Sequence, residues 1–257
     1  MANGTAKRMW ALPNAELTVP RSLLMHGASN DLVTVPCPAY LIEHQKGLVL
    51  FDTGCHPKVS DDPMYWGPIG AALQCNYPKD VLLDRQIQGL GYKMNDVKYV
   101  VISHLHLDHT GYMHAFPNAK FLIMANELRY AYWPDPDRRW AFIFNDFLPT
   151  RGYEWMELGC DFDLFGDGAL QFLLTPGHTP GECSLLVNLP NRKFLLTGDT
   201  VHLRAAVTQE ATMGIDVDPL QSMLSLKRIK AIRDMQGATM WITHDPDDWK
   251  EYPHKVE

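Results

Sequence analysis

Short apolar runs that end abruptly in polar or small residues are the dominant pattern along this chain of 257 residues. Each run contains four to six apolar or β-branched residues followed by a breaker, which is typical of a buried strand. These strands are predicted within residues 47–54, 98–104, 169–178, 193–199 and 238–244. Histidine and aspartate residues follow the ends of these strands, so the strand ends also predict where candidate functional residues lie.

Two helical patterns lie between these strands. In the first, over residues 78–89, apolar side chains recur every three or four positions. The second has Asp218 as its N-cap and Pro219 at its first helical position, and it ends at Gly237. Strands that alternate with helices, and strands that follow strands, predict a layered α/β (α+β) sandwich. No linker or repeat divides residues 1–257, so a single domain is expected.

Two further segments have a biased composition. Residues 60–77 are rich in proline, glycine and aromatic residues, which predicts a long ordered loop. Residues 130–155 are unusually aromatic. These aromatic side chains are interpreted either as the core of a helical insertion or as the lining of an apolar substrate pocket.

The overall composition is that of an ordinary globular protein, with 46% apolar and 21% charged residues. The five cysteines are scattered, odd in number and never arranged as CxxC, which favours reduced thiols and a cytoplasmic location. The net charge of −7 counts against a nucleic-acid partner. Apolar stretches of at most seven residues exclude a membrane span, and no apolar run follows Lys7 and Arg8, so no secretory signal is expected.

An HxHxDH string within residues 103–111 is the strongest chemical signal in the chain. Because residues two apart in an extended stretch point to the same side, His104 and His106 are expected to bind one metal ion together. Asp108 and His109 are expected where the chain turns into a helix, next to a second ion. Imidazole and carboxylate groups suit Zn²⁺ and similar divalent ions.

Three other strand ends supply the remaining candidate ligands. His178 lies in TPGHTPG, Asp199 in TGDT and His244 in THDP. A lone histidine at a strand end is more often a hydrogen-bonding or surface residue, and a lone aspartate there can simply form a turn. Combined with the HxHxDH string, they give five histidines and two aspartates, enough for two ions with open positions for solvent and substrate. Asp199 can bridge the two ions through its two oxygens.

With this ligand pattern the sequence resembles the metallo-β-lactamase superfamily and, within it, the quorum-quenching N-acyl homoserine lactonases and related γ-butyrolactonases. The resemblance covers nearly the whole chain and implies an αββα sandwich with the metals at one edge. The motifs that carry it are FDTGCHP at 51–57, SHLHLDHTG at 103–111, FGDG at 165–168, TPGHTPGECSLL at 175–186, LLTGDT at 195–200 and THDP at 243–246.

The family pattern also implies how the ligands are divided. Two divalent ions are expected, with Zn²⁺ as the leading choice, although Mn²⁺, Co²⁺ and Fe²⁺ accept the same groups. Asp52 corresponds to an aspartate that supports the site without binding metal. The resemblance implies one ion bound by His104, His106 and His178, a second bound by Asp108, His109 and His244, and Asp199 as the bridge.

The implied reaction is hydrolysis of a small lactone, through attack of a metal-bridging hydroxide on the ring carbonyl. Asp108 is the expected proton shuttle to the leaving oxygen. Most such lactonases carry a tyrosine three residues after the bridging aspartate, whereas this chain has His202. An imidazole can donate a hydrogen bond to the developing oxyanion, or it can take no part in the reaction. The expected partner is a small lactone, and a homodimer is compatible with the resemblance.

Several alternatives stay open at this stage. A γ-butyrolactonase and a thioesterase of the glyoxalase II type share the ligand pattern. His109 disfavours the β-lactamases that carry arginine there, and His106 disfavours the diiron electron-transfer relatives, which carry glutamate. A non-catalytic metal-binding sensor is the alternative from another class of function.

Overall fold

Two large β-sheets form the centre of the protein. The computed structural model describes residues 4–62 and 64–257. The strands are β1 (Arg8–Leu12), β2 (Glu16–Pro20), β3 (Leu32–Pro36), β4 (Ala39–His44), β5 (Gly47–Phe51), β6 (Cys75–Asn76), β7 (Val97–Val101), β8 (Lys120–Met124), β9 (Glu154–Leu158), β10 (Phe162–Asp163), β11 (Leu170–Leu174), β12 (Cys183–Asn188), β13 (Lys193–Leu196), β14 (Thr239–Trp241) and β15 (Lys255–Val256). The α-helices are α1 (Arg21–Leu24), α2 (Pro68–Leu73), α3 (Leu83–Gly89), α4 (Ala125–Tyr132), α5 (Phe144–Phe147), α6 (Arg204–Gln209), α7 (Pro219–Gln236) and α8 (Pro246–Glu251). Single turns of 3₁₀ helix lie at Pro57–Ser60, Met94–Asp96, Met113–Ala115, Arg139–Ala141 and Leu148–Gly152.

Each large sheet mixes parallel and antiparallel strands. The seven-stranded sheet has the order β15-β1-β4-β5-β7-β8-β9, and the five-stranded sheet has the order β10-β11-β12-β13-β14. Strand β7 runs parallel to both β5 and β8, and β13 runs parallel to β14. A small third sheet has the order β3-β2-β6.

The two large sheets pack face to face. Tyr40 and Ile42 of β4 share one buried core with Phe172 of β11 and Leu185 of β12. Leu41, between them in sequence, belongs to the core on the other face of its sheet, as the two-residue period of a strand requires. Helices cover the outer faces, so the expected αββα sandwich is confirmed.

Helix α7 illustrates how the sequence sets an outer layer. The Asp218 side chain accepts a hydrogen bond from the Gln221 amide at 2.9 Å, and Gly237 ends the helix in the left-handed conformation with φ of 61°. Leu226 and Ile229 are buried in the outer core. The predicted caps of this helix are therefore confirmed. None of the helices in the described ranges is both long and apolar enough to cross a membrane.

Local structure departs from the sequence predictions in two places. Strand β7 ends at Val101, so His104 and His106 lie in irregular backbone, and Asp108 and His109 lie in a turn rather than at the start of a helix. The segment 60–77, predicted to be one loop, contains α2 and β6. Pairing of β6 with β2 explains the second difference, because a two-residue strand has no periodicity to read.

The aromatic side chains of residues 130–155 include both core residues and a residue that lines a pocket. Phe142 and Phe147 are buried in the core, whereas Trp140 lines the pocket described below. Trp133 is 90% exposed and contributes to neither.

Candidate metal centre

All seven predicted ligands meet at one edge of the sandwich. Four of them follow β7, which belongs to the seven-stranded sheet. His178, Asp199 and His244 follow β11, β13 and β14 of the five-stranded sheet. The site therefore lies where the ends of the two sheets converge, and it takes side chains from both.

Three histidines form the first group of donor atoms. One nitrogen each of His104, His106 and His178 lies within 4.8 Å of the others. The Nε2 atom of His178 is 2.9 Å from Nδ1 of His106. Oδ2 of Asp199 completes this group, at 3.6 Å from Nε2 of His104 and 3.4 Å from Nε2 of His178.

The other oxygen of the same carboxylate faces the second group. Oδ1 of Asp199 is 3.3 Å from Nε2 of His109 and 2.9 Å from Nε2 of His244. Asp108 completes this group, with Oδ2 at 3.6 Å from Nε2 of His244. Asp199 thus lies between two sets of ligands and presents one oxygen to each, which is the arrangement a bridging carboxylate requires.

Asp52 fixes the loop that carries the HxHxDH string. It lies directly after β5 with a positive φ of 57°, a conformation that aspartate tolerates better than most residues. Its carboxylate accepts hydrogen bonds from the amide and the hydroxyl of Ser103 at 2.7 and 2.8 Å. Oδ2 also lies 2.9 Å from Nδ1 of His109, so the ring directs Nε2 at the site.

Three further groups orient the remaining rings, and sequence reasoning missed all of them. Oε2 of the fully buried Glu182 is 2.9 Å from Nδ1 of His104, and its Oε1 accepts a hydrogen bond from the Asp199 amide at 2.9 Å. Asp216 lies 3.3 Å from Nδ1 of His178. The Pro36 carbonyl oxygen is 2.7 Å from Nδ1 of His244. Glu182 follows His178 within the TPGHTPGEC motif, which was the available signal; Asp216 and Pro36 had none.

The electrostatics of the site favour positive charge near Asp199. Burial lowers the pKa of His104 and of His106, which keeps both rings in the neutral form that binds metal. Burial also disfavours charge on His109 and His244, but the surrounding acidic groups, with Asp199 as the largest contributor, together outweigh it and raise the pKa of each ring. Burial raises the pKa of Asp199, but the neighbouring histidine rings, His202 first among them, hold it well below its usual range.

The residues present fit a pair of divalent cations. Nε2 of His104 and Oδ1 of Asp199 are buried, and within the described part of the chain neither has a hydrogen-bond partner. Buried polar atoms without partners are costly, so their convergence on neighbouring nitrogens calls for a cation. Neutral imidazoles with two carboxylates are the donor set that Zn²⁺ and similar ions accept.

An apolar pocket opens onto this centre. Leu17, Val19 and Val35 of the small sheet line one part of it. His202 lies in its wall, buried, with Nε2 at 2.9 Å from Oδ2 of Asp199. His202 is therefore within reach of any group that the metal centre binds.

The family comparison agrees with this geometry. Residues 32–244 match the model of the metallo-β-lactamase superfamily. The chain belongs to this superfamily. The superfamily match spans the whole predicted ligand set, from His104 to His244, and also the supporting Asp52.

Curated relatives within the superfamily are named as lactonases. The chain is 37% identical over 229 residues to the N-acyl homoserine lactonase AttM of Rhizobium radiobacter, an alignment that covers 87% of each protein. It is 27% identical over 256 residues to an N-acyl homoserine lactonase of Bacillus thuringiensis, covering 96% of each.

Solved structures share the fold over the full length. An N-acyl homoserine lactone hydrolase with N-hexanoyl-L-homoserine bound at its catalytic metal centre superposes with a TM-score of 0.86, covers 97% of both chains and is 22% identical. AidC, a dizinc quorum-quenching lactonase, superposes with a TM-score of 0.72, at 17% identity, and covers 99% of this chain and 94% of its own.

Proposed function

We propose that this protein hydrolyses N-acyl homoserine lactones, opening the lactone ring with water. The 37% identity to AttM, spread over 87% of both chains, supports this substrate class. Two divalent ions are the proposed cofactors, with Zn²⁺ as the leading choice. His104, His106 and His178 would hold one ion, Asp108, His109 and His244 the other, and Asp199 would bridge them.

One observation supports the proposal most strongly. The two oxygens of Asp199 face two separate sets of ligands, and this whole arrangement borders an apolar pocket. A site that only stores metal needs no apolar pocket beside it. A site that positions an acyl chain next to a polar ring needs a polar centre and an apolar pocket side by side.

When bound, a metal pair of this kind lowers the pKa of water and polarises a carbonyl oxygen. Side chains of the protein then have to transfer a proton from the attacking water to the leaving oxygen. Attack of water on the ring carbonyl forms a new C–O bond, and the ring C–O bond breaks to leave an alkoxide. The Asp108 carboxylate faces the pocket and takes the proton that the water gives up. It returns this proton to the leaving oxygen, so the product is a hydroxy acid.

His202 is the second proposed catalytic residue. Its position beside Asp199, in the pocket wall, brings an N–H group to the region where the carbonyl oxygen gains charge. A hydrogen bond to that oxygen is stronger in the transition state than in the ground state, which is what accelerates the chemical step.

Pocket shape supports an acyl substituent on the ring. The pocket has a mainly apolar lining, which includes Leu17, Val19, Leu24, Trp140 and Ile215. An acyl chain buried there gains about 0.8 kcal/mol per CH₂ group removed from water.

Hydrolysis of a series of lactones by metal-loaded and chelated protein tests the proposal. The expected result is ring opening that requires metal, with kcat/KM rising from unsubstituted γ-butyrolactone to acylated homoserine lactones. Preference for the unsubstituted ring would favour a γ-butyrolactonase, and turnover of S-acyl glutathione alone would favour a thioesterase. Tight metal binding without turnover of any ester would favour a sensor.

The remaining predictions concern the native metal, the cellular location and the oligomeric state. Elemental analysis of purified protein tests Zn²⁺ as the native metal. Cell fractionation tests the cytoplasmic location, and sedimentation tests the homodimer.

A further inference from the structure

Cys37 lies at the metal centre, although it belongs to none of the metal-binding motifs in the sequence. It follows β3 and is buried, with 1% of its surface exposed. Its Sγ atom is 3.9 Å from Oδ2 of Asp108. The sulfur, an oxygen of Asp108 and a nitrogen of His244 all lie within 4.8 Å of one another.

These separations match those of ligands that share an ion. With metal–sulfur bonds of about 2.3 Å and metal–oxygen or metal–nitrogen bonds of about 2.1 Å, neighbouring ligands of one ion lie about 3 to 3.8 Å apart. Cys37 and Asp108 are 3.9 Å apart, and Asp108 and His244 are 3.6 Å apart. The three donor atoms therefore lie close enough together to share one ion.

The backbone around Cys37 is tied to the same histidine. The carbonyl oxygen of Pro36 is 2.7 Å from Nδ1 of His244, which turns Nε2 of that ring toward the site. The Cys37 amide donates to the Ala15 carbonyl at 3.0 Å, which anchors this short connection between β3 and β4. Segment 36–37 therefore both orients one ligand and places a thiol beside it.

A separate observation also calls for a cation here. Oδ1 of Asp199 is buried, lacks a hydrogen-bond partner in the described ranges, and lies 2.9 Å from Nε2 of His244. A cation bound there would contact His244, which also belongs to the group formed with Asp108 and Cys37.

We propose that Sγ of Cys37 is a thiolate ligand of the ion held by Asp108, His109 and His244. The inference rests on the metal pair of the proposed function but not on the lactone substrate. Binding forms a metal–sulfur bond and releases the thiol proton to solvent, with no change in oxidation state. A sulfur ligand shifts this position toward thiophilic ions such as Zn²⁺, Co²⁺ and Cd²⁺ and away from Mn²⁺.

Cobalt substitution tests the assignment without measuring activity. Protein loaded with two equivalents of Co²⁺ is expected to show thiolate-to-cobalt charge-transfer absorption in the near ultraviolet. The band should disappear in Cys37→Ser, which keeps the size of the side chain but replaces the sulfur. It should persist in the control Cys183→Ala, which removes another buried thiol, one that faces the Ile102 carbonyl.

Competition with a chromophoric chelator gives a second readout. In Cys37→Ser the second equivalent of Co²⁺ should bind more weakly by at least about 10- to 100-fold, the loss typical of removing even an outer partner of a metal ligand. The first equivalent should bind as in the wild type.

The wild-type spectrum also makes the test independent of how the variants fold. Absence of the band from wild-type protein that holds two Co²⁺ ions would overturn the proposal, as would a band that survives in Cys37→Ser. A band in protein that hydrolyses no lactone would support Cys37 as a ligand and refute the lactonase proposal, so the two failures are distinguishable.

Discussion

Nε2 of His202 lies 2.9 Å from Oδ2 of Asp199, the oxygen that also faces His104 and His178. The resemblance to lactonases places a tyrosine at this position. In this chain an imidazole, buried and stacked at 5.4 Å on the ring of His244, takes its place. A ring that can donate a hydrogen bond therefore still lies next to the Asp199 carboxylate, but the shorter side chain reaches less far.

Replacing His202 with alanine should lower kcat by about 100-fold, the usual cost of losing one hydrogen bond to a developing oxyanion. KM should change less, because the bond strengthens mainly in the transition state. Steady-state kinetics on an acyl homoserine lactone, with metal content measured in parallel, checks this.

His202→Tyr serves as the matched variant, since it restores a donor, and it should recover part of the loss. An unchanged kcat in His202→Ala at full metal content would remove this residue from the mechanism.

Asp199→Asn should reduce both metal content and activity by orders of magnitude, because an amide offers one oxygen where the site uses two. His106→Ala should likewise abolish most activity by emptying the three-histidine position. Metal analysis of each purified variant, together with chelation and reconstitution of the wild type, measures the effect. Full activity in chelated wild-type protein would refute the metal-dependent mechanism.

Glu182→Gln tests a residue that acts only through its neighbours. Its Oε1 can still accept a hydrogen bond from the Asp199 amide, but an NH₂ group, which cannot accept a hydrogen bond from Nδ1 of His104, replaces Oε2. Metal affinity should fall by about 10- to 100-fold. Glu157→Gln, on an exposed part of β9, is the control and should bind metal as the wild type does. Equal affinities in the two variants would assign Glu182 a purely structural role.

Asp146 should make folding stability depend on pH. Burial raises the pKa of its carboxyl from 3.8 to about 7. Between these values the folded state keeps a proton that the unfolded state releases, so the stabilisation is complete below pH 4 and is lost as the pH rises through 7. The loss approaches about 4 kcal/mol, since each pKa unit corresponds to about 1.4 kcal/mol.

Asp146→Asn cannot ionise, yet it can still accept the hydrogen bond that the Tyr65 hydroxyl donates at 2.6 Å. Chemical denaturation from pH 4.5 to 8 should therefore show a flatter dependence in this variant. Asp137→Asn, in the same insertion but 71% exposed at its side chain, should keep the wild-type slope. Identical slopes in all three proteins would contradict the assignment.

The strand ends made most of the site predictable. Apolar runs fix β5, β7, β11, β13 and β14, and a strand that stops at a sheet edge places its next polar residue there. For this reason His178, Asp199 and His244 could be grouped with the HxHxDH string although the chain separates them widely.

Residues that act through tertiary contacts were beyond sequence reasoning. Cys37 lies 71 positions from Asp108, and no spacing rule joins them. Asp216 reaches His178 across 38 positions from a loop before α7. The irregular backbone at His104 and His106 was also missed, because the loop takes its shape from the hydrogen bonds of Ser103 to Asp52 rather than from its own residues.

The origin of the ligands in both sheets has a mechanical consequence. An ion bound jointly by residues after β7 and residues after β13 and β14 would link the two sheets. Separating the sheets on unfolding would then require breaking metal–ligand bonds, so the melting temperature should rise with free metal concentration even after the centre is saturated. At low free metal concentration the protein is therefore expected to lose folding stability as well as activity.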